Sequence, residues 1–148
     1  VPSPPGTAYR KGKNMTYLLD TNICIYALKN KYPLLTQKLF QIHPDEITVS
    51  AITVSELEYG AAKSKWGKQT RFRLHMFLSV FTILPFSEQD AVKAGQIRAF
   101  LEKKGTIIGP YDLQIAAQSI VKGLIVVTHN TKEFNRVPGI HLEDWVKC

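Results

Sequence analysis

Only two cysteines occur in the chain, Cys24 and Cys148, and they share no C-x-x-C spacing. A disulfide framework and a zinc ribbon are thereby disfavoured, and a reducing cytoplasm is the expected setting. Four histidines, His43, His75, His129 and His141, show no HxxxH spacing, so a zinc site is not expected either. No run of about eighteen apolar residues exists, which removes a membrane-spanning helix. The opening stretch VPSPPGTAYRKGKN has no apolar core and cannot be a secretory signal. With Met15 as a natural start, residues 1–14 are expected to be a disordered leader of vector origin, and 15–148 the domain proper. There is no internal repeat and no low-complexity segment. One local absence stands out: no acidic residue occurs between Tyr59 and Ser87.

What remains is ordinary for a globular chain: 148 residues, 45% hydrophobic and 21% charged, enough for one domain with a proper core. The formal charge is +7, of which Arg10, Lys11 and Lys13 supply three, leaving +4 for the domain. Such a balance permits a polyanionic partner without demanding one.

MTYLLD opens the domain as a short apolar run read as a buried strand, with Thr21 or Asn22 available to cap the helix that follows. Pro33 opens a second helix over PLLTQKLFQI. EITVS (46–50) is rich in β-branched residues and reads as a strand. ITVSELEYGAAKSK and QTRFRLHMFLSV read as helices, the first with Thr53 or Ser55 near its start, and FTILPF as a strand stopped by Pro85. Ser87, Glu88 and Asp90 begin a long amphipathic helix that ends near Gly105. A helix from Pro110 runs to Gly123, followed by LIVV (124–127), four apolar residues suited to a strand covered on both faces. THNTKEF then leads to a last strand around IHL. Strands alternating with helices imply an α/β domain on a parallel sheet.

In a parallel sheet every strand ends at one edge, where ligands bind. Asp20 ends the first strand, Glu56 lies early in the helix after the second, Asp112 in the first turn of the helix before the fourth, and Asn130 just past that strand. Each has a plainer reading. Asp20 could only cap a helix and Asp112 could only complement a helix dipole. Glu56 competes with Glu58, and helical spacing does not separate them. Together, three carboxylates at one edge would repel and raise at least one pKa. A hard divalent cation removes that cost, so Asp20 reads as a metal ligand.

The stretches LLDTNICIYALK, VSAITVSELEYGA, GQIRAFLEKKGTIIGPYDLQIAAQSIVKGLIVVTHNTKEF and LEDW resemble the PIN-domain toxins of VapBC toxin–antitoxin pairs, over residues 15 to about 146. That resemblance implies a three-layer α/β/α sandwich around a parallel sheet of four to five strands. It implies a metal-dependent endoribonuclease toxin using Mg²⁺ or Mn²⁺. Its acidic positions match Asp20, Glu56 and Asp112, which favours Glu56 over Glu58. A fourth, variable position falls on Asn130, with Glu133 one turn further on as a possible charged substitute. The implied partners are a VapB-type antitoxin, a second copy in a homodimer or larger toxin–antitoxin assembly, and RNA. Relatives cut tRNA in the anticodon loop, initiator tRNA included, and so inhibit translation.

In this chemistry Asp20, Asp112 and, partly through water, Glu56 hold the cation, and hydrolysis yields a 5′-phosphate and a 3′-hydroxyl. Thr21 and Asn22 are expected to orient Asp20, and Thr128 to do the same or touch substrate. Lys63, Lys65, Lys68, Arg71 and Arg73, interleaved with Trp66 and Phe72, suit a single-stranded RNA loop. The plainer alternative is a solvated helix face with its rings in the core. His129 reads as a neutral surface histidine and Cys24 as core packing. A phosphatase of the haloacid dehalogenase type needs a second Asp two residues after Asp20, where Asn22 stands. The missing acid at position 130 leaves a non-catalytic PIN-like binding module as the alternative function.

Overall fold

The structure, a computed structural model, describes residues 15–147; the leader expected over 1–14 lies outside them. Five short strands, β1 (Tyr17–Leu19), β2 (Ile47–Ser50), β3 (Thr82–Leu84), β4 (Ile125–Val127) and β5 (His141–Glu143), form one sheet. Their order is β3-β2-β1-β4-β5, and every pairing is parallel. From β1 the chain builds outward through β2 to β3, then returns to the other side for β4 and β5. The direction of winding therefore reverses between β1 and β4, and the ends of these two strands frame the crevice where such sheets take ligands.

Period-two alternation sorts the strand side chains between two cores. Leu18 and Val126 face one side, packing with Ile97 and Leu101 of α5 (Glu88–Lys104), Ile115 of α6 (Pro110–Lys122) and Phe134 of α7 (Thr131–Phe134). Leu19 and Val127 face the other. There they meet Ile23 and Cys24 of α1 (Thr21–Leu28), Leu35 of α2 (Pro33–Gln41), Leu57 of α3 (Ala51–Lys63) and Leu74 of α4 (Gly67–Leu78). The result is a three-layer α/β/α sandwich. Cys24 is fully buried and packs in the second core.

Local chemistry moves several boundaries from those expected. Ser50 Oγ accepts the Ile52 N–H at 3.0 Å, so Ser50 is the cap and α3 starts at Ala51, ahead of Thr53 and Ser55. Between α3 and α4 the Ser64 Oγ accepts the Trp66 N–H at 3.1 Å and closes the turn, and α4 begins at Gly67 instead of Gln69, without a side-chain cap. A Cβ on Gly67 would stand 3.2 Å from the Ala61 carbonyl oxygen, so glycine allows α3 and α4 to meet closely at their turn. The long helix α5 starts with a reciprocal cap between Ser87 and Asp90 and ends at Gly105 in the left-handed region, φ 70°. Pro44–Glu46 forms a 3₁₀ turn, which trims the second strand to Ile47–Ser50. Among the described residues, no helix is long and apolar enough to cross a membrane.

Candidate active site

Asp20 sits where β1 turns into α1, in extended backbone conformation, and its Oδ1 accepts the Ile23 N–H at 2.8 Å. It is thus the helix cap, but capping leaves its second oxygen for other work. The Thr128 hydroxyl, at the end of β4, donates to the same carboxylate, and Thr128 Oγ1 in turn accepts the Asn130 N–H at 2.9 Å. Burial, opposed by these donors and helped by the charges of Glu56 and Asp144, pushes the Asp20 pKa up to about 6.

Asp112, half-buried in the first turn of α6, is pushed up to about 8. Burial is the main cause, followed by the Glu133 carboxyl hydrogen-bonded to it, then by the charges of Asp20 and Glu56. Glu133, on α7, therefore joins the cluster. Its Oε1 is buried without a hydrogen-bond partner. Such an oxygen is costly to leave unsatisfied.

Glu56, on the second turn of α3, feels both aspartates. Its Oε1 accepts the Thr21 hydroxyl at 2.6 Å, and Thr21 Oγ1 also lies 3.0 Å from the Thr53 hydroxyl. Thr21 therefore holds Glu56, not Asp20 as expected. Asn22 is exposed on α1, while the Thr128 hydroxyl is hydrogen-bonded to the Asp20 carboxylate. Glu58 points elsewhere: it binds Arg71 at 3.0 Å and His75 at 2.8 Å across the α3–α4 pair. Helical spacing could not separate the two glutamates, but their partners do. Asn130 is exposed at the start of α7 and makes no side-chain cap bond.

Two further residues were missed in the sequence. Thr53 stands one turn before Glu56, an i, i+3 spacing that could have flagged it. Asp144 follows β5 at the same sheet edge, and its Oδ2 lies 3.0 Å from His129 Nδ1. The strand-end rule that found Asp20 would also have found Asp144. His129 is accordingly a paired residue at the site's rim, where it also faces the Tyr32 ring at 6.1 Å, and not a free surface histidine.

Among the described residues, no three His, Cys, Asp or Glu side chains converge as a ready-made cage for a metal ion. Glu56 is turned onto Thr21, and Glu133 is folded against Asp112. Two observations nonetheless fit a hard cation: the partnerless buried Glu133 oxygen, and aspartates driven above their ordinary range by burial and, after it, by neighbouring acids. Oxygen-only donors of this charge suit Mg²⁺ or Mn²⁺ far better than a softer metal.

The five cations of the 63–73 region separate into two kinds. All five are exposed, but Arg71 is engaged by Glu58, whereas Lys63, Lys65, Lys68 and Arg73 form no ion pair among the described residues. Arg73 lines the same groove of ≈ 390 Å³ as Glu56, together with Ile25, Lys29 and Gly60. Trp66 and Phe72 are exposed, so the rings do not serve the core.

A family model described as "PIN domain" matches residues 17–140. The "tRNA(fMet)-specific endonuclease VapC" of Salmonella typhimurium is 43% identical over 131 residues, covering 88% of this chain and 98% of that protein. "Ribonuclease VapC2" of Rickettsia felis is 42% identical, covering 90% of this chain and all of that one. The DNA-bound VapBC structure from Salmonella typhimurium superposes with a TM-score of 0.84 at 42% identity, over 88% of this chain and 98% of that chain.

Proposed function

The chain belongs to the PIN-domain family, and from that membership we propose that it is the toxin of a VapBC-type pair: a divalent-cation-dependent endoribonuclease neutralised by a VapB-type antitoxin. It acts in the cytoplasm on tRNA. The Salmonella relative's name points to initiator tRNA, and cleavage in the anticodon loop stops translation. The observation that carries the reading is the crowd of carboxylates at the β1–β4 crevice, where Asp20 and Asp112 are each driven upward by burial and by neighbouring acids. Such a crowd is unfavourable alone and favourable around a cation.

Asp20, Asp112 and Glu133 are the residues that would hold Mg²⁺ or Mn²⁺, with Asn130 contributing at most an uncharged amide oxygen. The cation, when bound, polarises a phosphoryl oxygen and lowers the pKa of an attacking water. Thr128 donates to the Asp20 carboxylate and Oδ1 caps α1, and together these bonds keep the carboxylate in one direction. Thr21, itself braced by Thr53, fixes Glu56 through Oε1. That leaves Oε2 to align the water and accept its proton. Attack forms a new P–O bond as the P–O3′ bond breaks, the leaving 3′-oxygen takes up a proton, and the products carry a 5′-phosphate and a 3′-hydroxyl.

The test is incubation of the pure chain with total tRNA in Mg²⁺, in excess EDTA, and as Asp20→Asn. Cleavage only by the parent chain with Mg²⁺ supports the reading. Undiminished cleavage in EDTA, or a cyclic phosphate product, would sink the cation mechanism. RNA binding without any cleavage in Mg²⁺ would make the chain a binding module.

A further inference from the structure

The outer end of the α3–α4 pair exposes more apolar surface than packing explains. Trp66 is 63% and Phe72 67% exposed, and Tyr59 is 65% exposed. Only Leu74 is buried along the whole of α4. These rings are held in place and bordered by charge. Ser64 Oγ accepts the Trp66 N–H, which fixes the turn that carries the indole. Lys65 Nζ lies 5.7 Å from the Trp66 ring centre, and Lys63 Nζ lies 4.7 Å from that of Tyr59. Lys68, Gln69 and Arg73 share one surface hollow with Phe72. Glu58, on the same helix pair, is already engaged by Arg71 and His75.

The geometry points to a stacking platform for unpaired RNA bases, separate from the carboxylate edge and joined to it by the groove that Glu56 and Arg73 share. This rests on the ribonuclease reading and specifies how the substrate is gripped. Three features select RNA over other occupants. Each exposed ring has a cation beside it, so a base and its phosphate find partners together. Arg71 apart, the cations of this stretch, Lys63, Lys65, Lys68 and Arg73, form no ion pair among the described residues, as binding of an anionic polymer requires. And α3 runs outward from Glu56 to Lys63, about 10 Å at a helical rise of 1.5 Å per residue, a distance a few nucleotides cover. Paired strands cannot use the rings, because their bases are already stacked; the platform therefore selects a loop or single strand. Trp66 and Phe72 bind bases, Lys65, Lys68 and Arg73 bind phosphates, and Arg71 is structural.

The chain carries its own reporter, since Trp145 is 5% exposed and Trp66 is the accessible indole. Emission is followed in EDTA while a hairpin RNA with an unpaired loop, or a fully paired RNA of equal length, is added; Mg²⁺ is then restored to read cleavage. The loop RNA should quench Trp66 and the paired RNA should not. Trp66→Leu and Phe72→Ala, both at exposed sites, should each weaken loop-RNA binding about 5-fold or more by anisotropy of a labelled RNA. Quenching without later cleavage would keep the platform and overturn the ribonuclease reading. Cleavage without quenching, or full affinity in both variants, would overturn the platform and assign the tip to a protein partner. Neither quenching nor cleavage would remove both.

Discussion

The β1–β4 edge and the tip of the α3–α4 pair handle charge in opposite ways. At the edge, acids are buried together and Asp20 and Asp112 are pushed to about 6 and about 8. At the tip, charges are exposed, and Glu58 is satisfied by Arg71 and His75 within the chain. Buried like charges that the fold does not neutralise mark a place where something else must do so; exposed opposite charges that satisfy each other mark scaffolding. The same substitution, removal of one carboxylate, should therefore have very different results in the two places.

The largest effect belongs to Asp20→Asn and Asp112→Asn. Loss of an orienting partner to a metal ligand commonly costs about 10–100-fold, so removal of a ligand should cost at least about 100-fold in RNA cleavage. Asparagine caps helices as well as aspartate does, so α1 survives in Asp20→Asn. Circular dichroism should be unchanged, and near-normal turnover in either variant would erase the contrast.

Next comes pH. In both aspartates the folded pKa lies above the unfolded one, so the folded state keeps protons that the unfolded chain has released. Stability of the cation-free protein is then full below about pH 4 and is lost as pH rises toward 8. Asp20 alone contributes a loss on the order of 2–3 kcal/mol, and Asp112 adds to it in the same direction. Urea unfolding in EDTA across this range should show the decline, made shallower below pH 6 by Asp20→Asn and over the whole range by Asp112→Asn. A curve that rises with pH would mean the acids are already neutralised by the fold.

Thr21→Val frees Glu56 and should lower kcat about 10-fold with little change in KM. Glu133→Gln should raise the Mg²⁺ concentration needed for half-maximal cleavage, and Asn130→Asp should lower it; unmoved midpoints would make that corner structural. The smallest effect is expected at the tip. Glu58→Gln removes two exposed ion pairs and should change stability by less than about 1 kcal/mol, with cleavage retained. A large loss there would break the distinction between the regions.

Much of this could be read in the residues. Asp20 and Asp112 follow from strand ends and helix starts, because a parallel sheet gathers them at one edge whatever their separation in the chain. The element order, the capping box at Ser87 and the stop at Gly105 are local signals of the same kind. Side-chain direction is different. That Thr21 turns to Glu56, or that Glu133 lies on Asp112 while Asn130 faces solvent, depends on how α1, α3 and α7 pack, and no local pattern encodes it. The helix start at Ala51 shifted because Ser50 takes the capping role from Thr53 and Ser55, and the start at Gly67 because Ser64 closes the turn onto the Trp66 N–H just ahead of it.

The most direct measurement is a calorimetric titration of Mn²⁺ into chelator-stripped protein near pH 7, repeated in buffers of different ionisation enthalpy. If the crowded acids are a cation site, binding is accompanied by release of about one proton, because the ion displaces the proton that Asp112, pushed up to about 8, still holds near pH 7. Asp112→Asn should lose both the binding heat and the proton release. Absence of Mn²⁺ binding in the parent chain, or equal binding without proton release in both proteins, would contradict it.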